Sequence, residues 1–373
     1  MKTILFGGSF DPVTSAHTDI IRQLSRRFDR TVVVPCKISP FKTAVSASGE
    51  ERLRMLALSI SKIKAEISDF ELMSSLPSYS FITIKHFFSK DYSLYFAMGS
   101  EMLSGLDRWK NIKEVLDDVI FYIIPRDGFP VDRRKIYDLK SKGFRIEIAD
   151  FEGKEGSSSE VKISVAMGKP ELFLEGIVAD YIVSKGLYLD YAYVNDLYNK
   201  YGMKESRIRH SFSTALCGVK LAKRLDVDTN KAAIALLLHD IGKYVSREEA
   251  EKLGIVFSSE IEKMPKPIIH AEIGAEILSQ LEKIEDKEII NAVRYHTTGR
   301  PEMSALEKIV YLADYIEPLR AFPGVDKIRE ATTISIDEGL FAGLANSILH
   351  VDEKTLYPLT KSAYDYYKEI LNK

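Results

Sequence analysis

The hydrophobic periodicity of the chain changes character near residue 190, and no single fold class accommodates both halves. Before that point, short β-branched runs alternate with helical patterns. Residues 2–6 (Lys-Thr-Ile-Leu-Phe) and 31–35 (Thr-Val-Val-Val-Pro) are almost continuously apolar, as strands buried on both faces are, and 95–98 and 120–124 repeat that character. Helical patterns at 18–28 and 49–62 lie between them. Strands alternating with helices build βαβ units and a parallel sheet. Beyond residue 190 the strand runs stop, and helical stretches follow at 206–224, 229–242, 268–281, 286–297, 303–317, 335–349 and 355–371. The segment around Ser184-Lys185-Gly186 is the expected boundary, giving an α/β domain over 1–188 and an all-α domain over 189–373. A chain of 373 residues is long enough to build two cores.

A formal net charge of −2 provides no global basic field for a nucleic-acid backbone, so no nucleic-acid partner is expected. Local clusters such as Arg133-Arg134-Lys135 read as solvated surface. The two cysteines, Cys36 and Cys217, fall in different halves, which gives neither a disulfide framework nor a thiolate metal site. The first residues are apolar too briefly for a secretory signal, and no apolar run approaches the roughly 20 residues that span a bilayer. The expectation is a cytoplasmic protein without a membrane partner, one that admits a homo-oligomer.

Of seven histidines, five lie in the helical half: His210, His239, His270, His296 and His350. His239-Asp240 ends an Ala/Leu-rich helix, where an ionised pair is costly unless something neutralises it. Asp314 raises the same difficulty in the apolar stretch Ile-Val-Tyr-Leu-Ala-Asp-Tyr-Ile. A metal resolves both. Together, His210, His239, Asp240, His270, His296 and Asp314 exceed what one four-coordinate ion uses and suit two ions with a bridging carboxylate. Imidazole and carboxylate without thiolate fit Fe, Mn, Co or Zn. His350 and His86, each alone, read as structural.

This arrangement resembles the HD-domain phosphohydrolases, and within them the bacterial symmetrical diadenosine-tetraphosphate hydrolases. The resemblance rests on Arg209-His210-Ser211, Leu238-His239-Asp240-Ile241-Gly242-Lys243, Ile269-His270, Arg294-Tyr295-His296-Thr297-Thr298-Gly299-Arg300-Pro301 and Leu312-Ala313-Asp314-Tyr315-Ile316-Glu317-Pro318. It covers roughly 190–370 and implies a binuclear, iron-type centre that splits diadenosine tetraphosphate into two ADP. Lys243 and Arg300, cations beside these motifs, are candidate polyphosphate contacts.

In the first half, Gly7-Gly8-Ser9-Phe10-Asp11-Pro12 follows the first strand directly. Glycines at a strand end let backbone approach phosphates, and a helix from about Thr18 aims its N-terminus at the same place, with His17 at the junction. This pattern resembles the nucleotidylyltransferase superfamily, whose (H/T)xGH signature reads Thr14-Ser15-Ala16-His17 here. Further elements are similar to the nicotinate-mononucleotide adenylyltransferases: Pro40-Phe41-Lys42, Met98-Gly99-Ser100-Glu101 with Leu106-Asp107-Arg108-Trp109, Ser157-Ser158-Ser159-Glu160-Val161-Lys162, and Gly186-Leu187-Tyr188. The resemblance covers about 1–188 and implies a Rossmann-like parallel-sheet domain that transfers AMP from ATP, with Mg²⁺, to nicotinate mononucleotide. It places Gly7, Gly8, Ser9, Phe10, Gly99, Glu101, Trp109, Ser157 and Ser158 around the nucleotides. His17, Thr14, Lys42 and Lys162 would stabilise the transferred phosphate. The sequence departs from the family pattern at Ala16 (Gly), Ile82 and Glu101 (Asp) and Lys162 (Arg).

The favoured reading is therefore a bifunctional enzyme: an α/β nucleotidyltransferase domain followed by an all-α HD domain. Its ligands would be the small nucleotides ATP, nicotinate mononucleotide and diadenosine tetraphosphate. Two others stand beside it: a hydrolase carrying a catalytically degenerate nucleotide-sensing domain, and an N-terminal phosphopantetheine adenylyltransferase.

Overall fold

The apolar runs of the N-terminal half form the inner strands of a six-stranded parallel sheet in the computed structural model, which describes residues 1–37, 46–126, 128–154, 156–350 and 356–372. The strands are β1 (Lys2–Gly8), β2 (Arg30–Pro35), β3 (Glu66–Ile67), β4 (Ser93–Gly99), β5 (Ile120–Ile124) and β6 (Ile146–Ile148). Their order is β3-β2-β1-β4-β5-β6, and in register Phe6 lies opposite Val33 and Ala97. Alternate side chains enter two separate cores. Ile4, Phe6 and Val33 pack with Ile20, Ile21 and Leu24 on one face, while Leu5, Val32, Val34 and Phe96 pack with Ile84, Leu103 and Leu139 on the other. Each such side chain contributes roughly 1.5–3 kcal/mol on burial. Burial on both faces is why the central strands read as continuous apolar runs. The outer strands are two and three residues long, with Glu66 and Glu147 exposed, which blunts the sheet edges.

The helix expected from about Thr18 begins at Ser15 and runs Ser15–Arg27. Thr14 caps it: its hydroxyl accepts from the His17 amide (3.2 Å), and His17 Nδ1 accepts from the Thr14 amide (3.0 Å). An imidazole thus fills the place that Glu or Gln takes in the usual capping box.

The second half is helical, as its periodicity implied. The structure separates into two compact units, Met1–Leu189 and Asp190–Lys373. The principal helices of the second are Glu205–Arg224, Thr229–Leu238, Lys266–Glu276, Lys287–Arg294, Ala305–Ile316, Ile336–Leu349 and Pro358–Leu371. Tyr193–Lys200 and Val325–Ile334 are further helices that the periodicity did not reveal. Thr229–Leu238 is central, packed against Glu205–Arg224, Lys287–Arg294 and Ala305–Ile316. Ala232, Ala233, Ala235, Leu236, Leu237 and Leu238 are all buried, so this helix is apolar around its circumference. Among the described residues, no helix is long and apolar enough to cross a membrane.

Candidate functional site

The central helix ends at Leu238 and delivers His239 and Asp240 into the middle of the second unit, 0% and 2% exposed. The turn that follows is held by a close backbone approach. A Cβ on Gly242 would lie 2.5 Å from the His270 carbonyl oxygen and 2.6 Å from the Gly274 nitrogen, so only glycine lets the His270 helix pack here. All six sequence-predicted ligands converge. His210 Nε2 lies 2.8 Å from Asp314 Oδ1 and 3.8 Å from Asp240 Oδ2, and His239 Nε2 lies 3.3 Å from that same Oδ2. The other Asp240 oxygen, Oδ1, faces His270 Nε2 at 3.1 Å and His296 Nε2 at 3.7 Å. Asp240 therefore divides its two oxygens between two pairs of imidazoles. The ligand atoms of His210, His239 and Asp314 lie within 4.8 Å of one another, as do those of His239, Asp240 and His296.

Ring orientation is fixed from behind. His239 Nδ1 donates to Leu236 O (2.6 Å) and His296 Nδ1 to Val293 O (2.7 Å), which leaves each Nε2 as the lone-pair donor facing the cluster. His210 Nδ1 meets Glu317 Oε1 at 3.0 Å. Burial opposes charge on Asp240, yet His239, His270 and His296 hold its carboxyl well below the usual range. Asp314 is likewise lowered, against its burial, by His210, His239 and Arg320. Burial pushes His270 down to about 4. Ionised carboxylates and a neutral imidazole are the states that metal ligation requires, so the donor set fits two divalent ions.

A cleft of about 650 Å³ reaches Asp240, Asp314 and His270 and is lined also by Arg207, Lys243 and Arg320. Arg207 Nη1 lies 2.8 Å from Asp240 Oδ2, Arg320 is hydrogen-bonded to Asp314, and burial lowers the Lys243 ammonium. Lys243 thus stands where a polyphosphate contact was expected. Arg300 does not line this cleft; its guanidinium bonds Glu307 (2.9 Å) and lies over Tyr295. Sequence reasoning missed Arg207 and Glu317, whose signal was spacing: one lies three residues before His210 and the other three after Asp314, each one helical turn from a ligand. Nothing in the local sequence marked Arg320.

In the first unit, Gly7 and Gly8 end β1 and Gly99 ends β4. These neighbouring strands send the chain to opposite sides, which makes their carboxyl ends the crevice where such sheets bind ligands. Two helix N-termini meet there. Ser157 caps Ser158–Ala166, and a Cβ on Gly156 would lie 3.3 Å from Ala16 Cβ and 3.6 Å from Thr14 Oγ1. The departure at Ala16 is therefore absorbed: its buried methyl rests against a residue that has no side chain. Because His17 Nδ1 accepts from the Thr14 amide, the ring proton resides on Nε2. Phe10, at φ +44°, packs its ring edge-on to His17 at 5.2 Å. Glu101 pairs with Arg126 at 3.3 Å. Trp109 packs edge-on to Phe96, partly inside the second core. Lys162 is half-buried on the Ser158–Ala166 helix, and Lys42 lies outside the described residues. A buried arginine that the sequence reading passed over, Arg52, ties the glycine turn to its neighbours by donating to Ser9 O, Cys36 O (both 2.7 Å) and Lys37 O (3.1 Å).

Residues 207–319 match the HD domain family model, and residues 5–163 match the cytidylyltransferase-like model. The chain is 34% identical over 176 residues to the symmetrical bis(5'-nucleosyl)-tetraphosphatase of Bacillus subtilis, covering 45% of this chain and 92% of that protein. It is 32% identical over 154 residues to a probable nicotinate-nucleotide adenylyltransferase of Aliarcobacter butzleri, covering 40% of this chain and 84% of that one. A probable nicotinate-nucleotide adenylyltransferase/Ap4A hydrolase of Mycoplasma genitalium aligns across both halves, at 29% identity over 328 residues, with 86% of this chain and 88% of the relative covered.

Proposed function

Since the chain belongs to the nicotinate-nucleotide adenylyltransferase family in its first half and to the HD-domain symmetrical bis(5'-nucleosyl)-tetraphosphatases in its second, we propose a bifunctional enzyme that forms deamido-NAD and cleaves diadenosine tetraphosphate into two ADP. The observation that carries the hydrolase half is the division of the Asp240 carboxylate between two pairs of imidazoles. Metal dependence follows from the HD match and this donor set. Iron is the proposed metal, with Mn, Co and Zn as chemically suited substitutes. Two bound ions would supply Lewis acidity to the phosphoanhydride and activate water near neutral pH.

The protein's own part is positioning and charge. His210, His239 and Asp314 would hold one ion and His270 and His296 the other, with Asp240 offering one carboxylate oxygen to each pair. Arg207, Lys243 and Arg320 line the same cleft and neutralise the polyphosphate; Arg207 and Arg320 rest on ligand carboxylates, and Lys243 Nζ lies 3.9 Å from Asp240 Oδ1. Water attacks one of the two inner phosphorus atoms, and the oxygen linking them leaves with the other ADP.

In the first unit, the phosphate of nicotinate mononucleotide attacks the α-phosphorus of ATP and pyrophosphate leaves, with Mg²⁺ accompanying ATP. Catalysis there is positioning and charge stabilisation rather than covalent chemistry. The helix N-termini at Thr14 and Ser157, the Nε2–H of His17, Lys42 and Lys162 serve the transferred phosphate. The fit of Ala16 against Gly156 supports a working site over a degenerate one. Pyrophosphate release from ATP plus nicotinate mononucleotide, and ADP release from diadenosine tetraphosphate, both by one preparation, test the reading. Pyrophosphate release only with phosphopantetheine would replace the acceptor.

A further inference from the structure

The hydrolase reading accounts for the charged end of the cleft but not for its aromatic wall. Tyr315 and Phe322 line the cleft beside Asp314 and Arg320. Tyr315 is held firmly: it stacks on the fully buried Tyr311 at 5.0 Å and 18°, and both hydroxyls meet Ser347 Oγ. Phe322 stands edge-on to Tyr315 at 5.9 Å and is only partly buried. Asn346 completes the group. The turn after Phe322 runs close to it, since a Cβ on Gly324 would lie 3.0 Å from Asn346 Oδ1. The Asn346 backbone carbonyl accepts from His350 Nδ1 (2.8 Å), while its carboxamide has no hydrogen-bonding partner among the described residues.

A braced aromatic surface with a carboxamide beside it, offering a donor and an acceptor, has the chemistry of a nucleobase site. Bases stack on such rings, and a carboxamide pairs with adjacent donor and acceptor atoms on a base edge. Arg320 joins the two ends: it bonds Asp314 and lies two residues before Phe322. A nucleotide whose phosphates reach the metal ligands can thus place its base against this wall.

We propose that Phe322, Tyr315 and Asn346 form a nucleobase subsite, which takes the adenine of one ADP half while the charged end takes its phosphates. The proposal rests on the hydrolase reading for the substrate class, but its test does not depend on turnover. The sequence has one tryptophan, Trp109, in the other unit. Replacing it (Trp109→Phe) and installing Phe322→Trp in the full-length protein leaves a single indole in the stacking position. ADP is expected to quench its fluorescence saturably. Inorganic tripolyphosphate, which has no base, should not quench but should displace ADP. Adding Asn346→Ala should raise the half-quenching ADP concentration by roughly 3- to 10-fold, the loss of one or two hydrogen bonds, and leave tripolyphosphate's own affinity, read from the competition, unchanged. Indole fluorescence that ADP leaves unmoved overturns the proposal, as does quenching that Asn346→Ala does not change. A variant in which tripolyphosphate's own affinity falls equally with that of ADP overturns it too, because the loss would then be a general distortion of the cleft. If wild-type protein fails to hydrolyse diadenosine tetraphosphate while ADP still quenches, the hydrolase reading falls and the subsite stands.

Discussion

Glu317 is not among the six converging ligands, yet the geometry makes it decisive for one of the two metal positions. Its carboxylate is 1% exposed and accepts from Ser213 Oγ (2.5 Å) and the Leu319 amide (2.7 Å) while facing His210 Nδ1 at 3.0 Å. Burial works against its charge, but His210 and Ser213 keep its carboxyl below the ordinary range. An ionised carboxylate behind an imidazole fixes the ring's tautomer and makes Nε2 a stronger donor. Glu317→Gln keeps the volume and removes the charge. Loss of such a partner weakens metal binding by roughly 10- to 100-fold, or about 1.4–2.8 kcal/mol. His270 and His296, on the other side of Asp240, have no contact with Glu317 and should keep their ion. The assay is metal content by elemental analysis after dialysis against graded chelator, alongside kcat and KM. One metal should be lost at markedly lower chelator concentration, with kcat falling as it leaves and Tm nearly unchanged in the loaded protein. Equal retention of both metals by Glu317→Gln would refute the argument, and so would parallel loss of both.

Arg320→Ala should raise KM for diadenosine tetraphosphate by roughly 10- to 100-fold, the loss of charge-assisted bonds to phosphate, whereas Arg300→Ala should leave KM unchanged and show only in stability, through Glu307; the reverse pattern in steady-state kinetics would return the phosphate role to Arg300. Arg52→Met removes three bonds to buried or half-buried carbonyls. It should cost roughly 2–4 kcal/mol, lowering the thermal transition of the first unit by about 5–15 °C, and an unchanged transition by calorimetry would contradict this. Burial pushes the Cys217 thiol up to about 11, so the reactive thiolate is scarce at neutral pH and grows as pH rises toward that value. Alkylation of Cys217 in native protein, followed by mass spectrometry, should be slow at pH 7 and accelerate with pH; rapid labelling at pH 7 would place the thiol in a different environment.

The central strands and the metal ligands were legible for related reasons. A strand buried on both faces must be largely apolar, as Val32, Val33 and Val34 are, and ionisable groups on an apolar helix must be neutralised, as His239, Asp240 and Asp314 are. The short edge strands Glu66–Ile67 and Ile146–Ile148 carry no such constraint and left no pattern. The start of the first helix was misplaced by three residues because histidine, not glutamate, completes its capping box. Arginines were the least legible. Arg300 sits in a motif and Arg320 in none, yet their partners in space, Glu307 and Asp314, place Arg300 in support and Arg320 in the cleft. Arg52 follows Glu50 and Glu51 at a helix start, with nothing in the local sequence to set it apart, and is 1% exposed.

Two independent chemistries in one chain should come apart under paired single substitutions in the full-length protein. His17→Ala should lower deamido-NAD formation by roughly 10²–10³-fold and leave diadenosine tetraphosphate hydrolysis intact. Asp240→Ala should abolish the hydrolysis with loss of metal and leave adenylyl transfer intact. Wild-type protein lacking either activity, or one substitution that abolishes both, would contradict the claim.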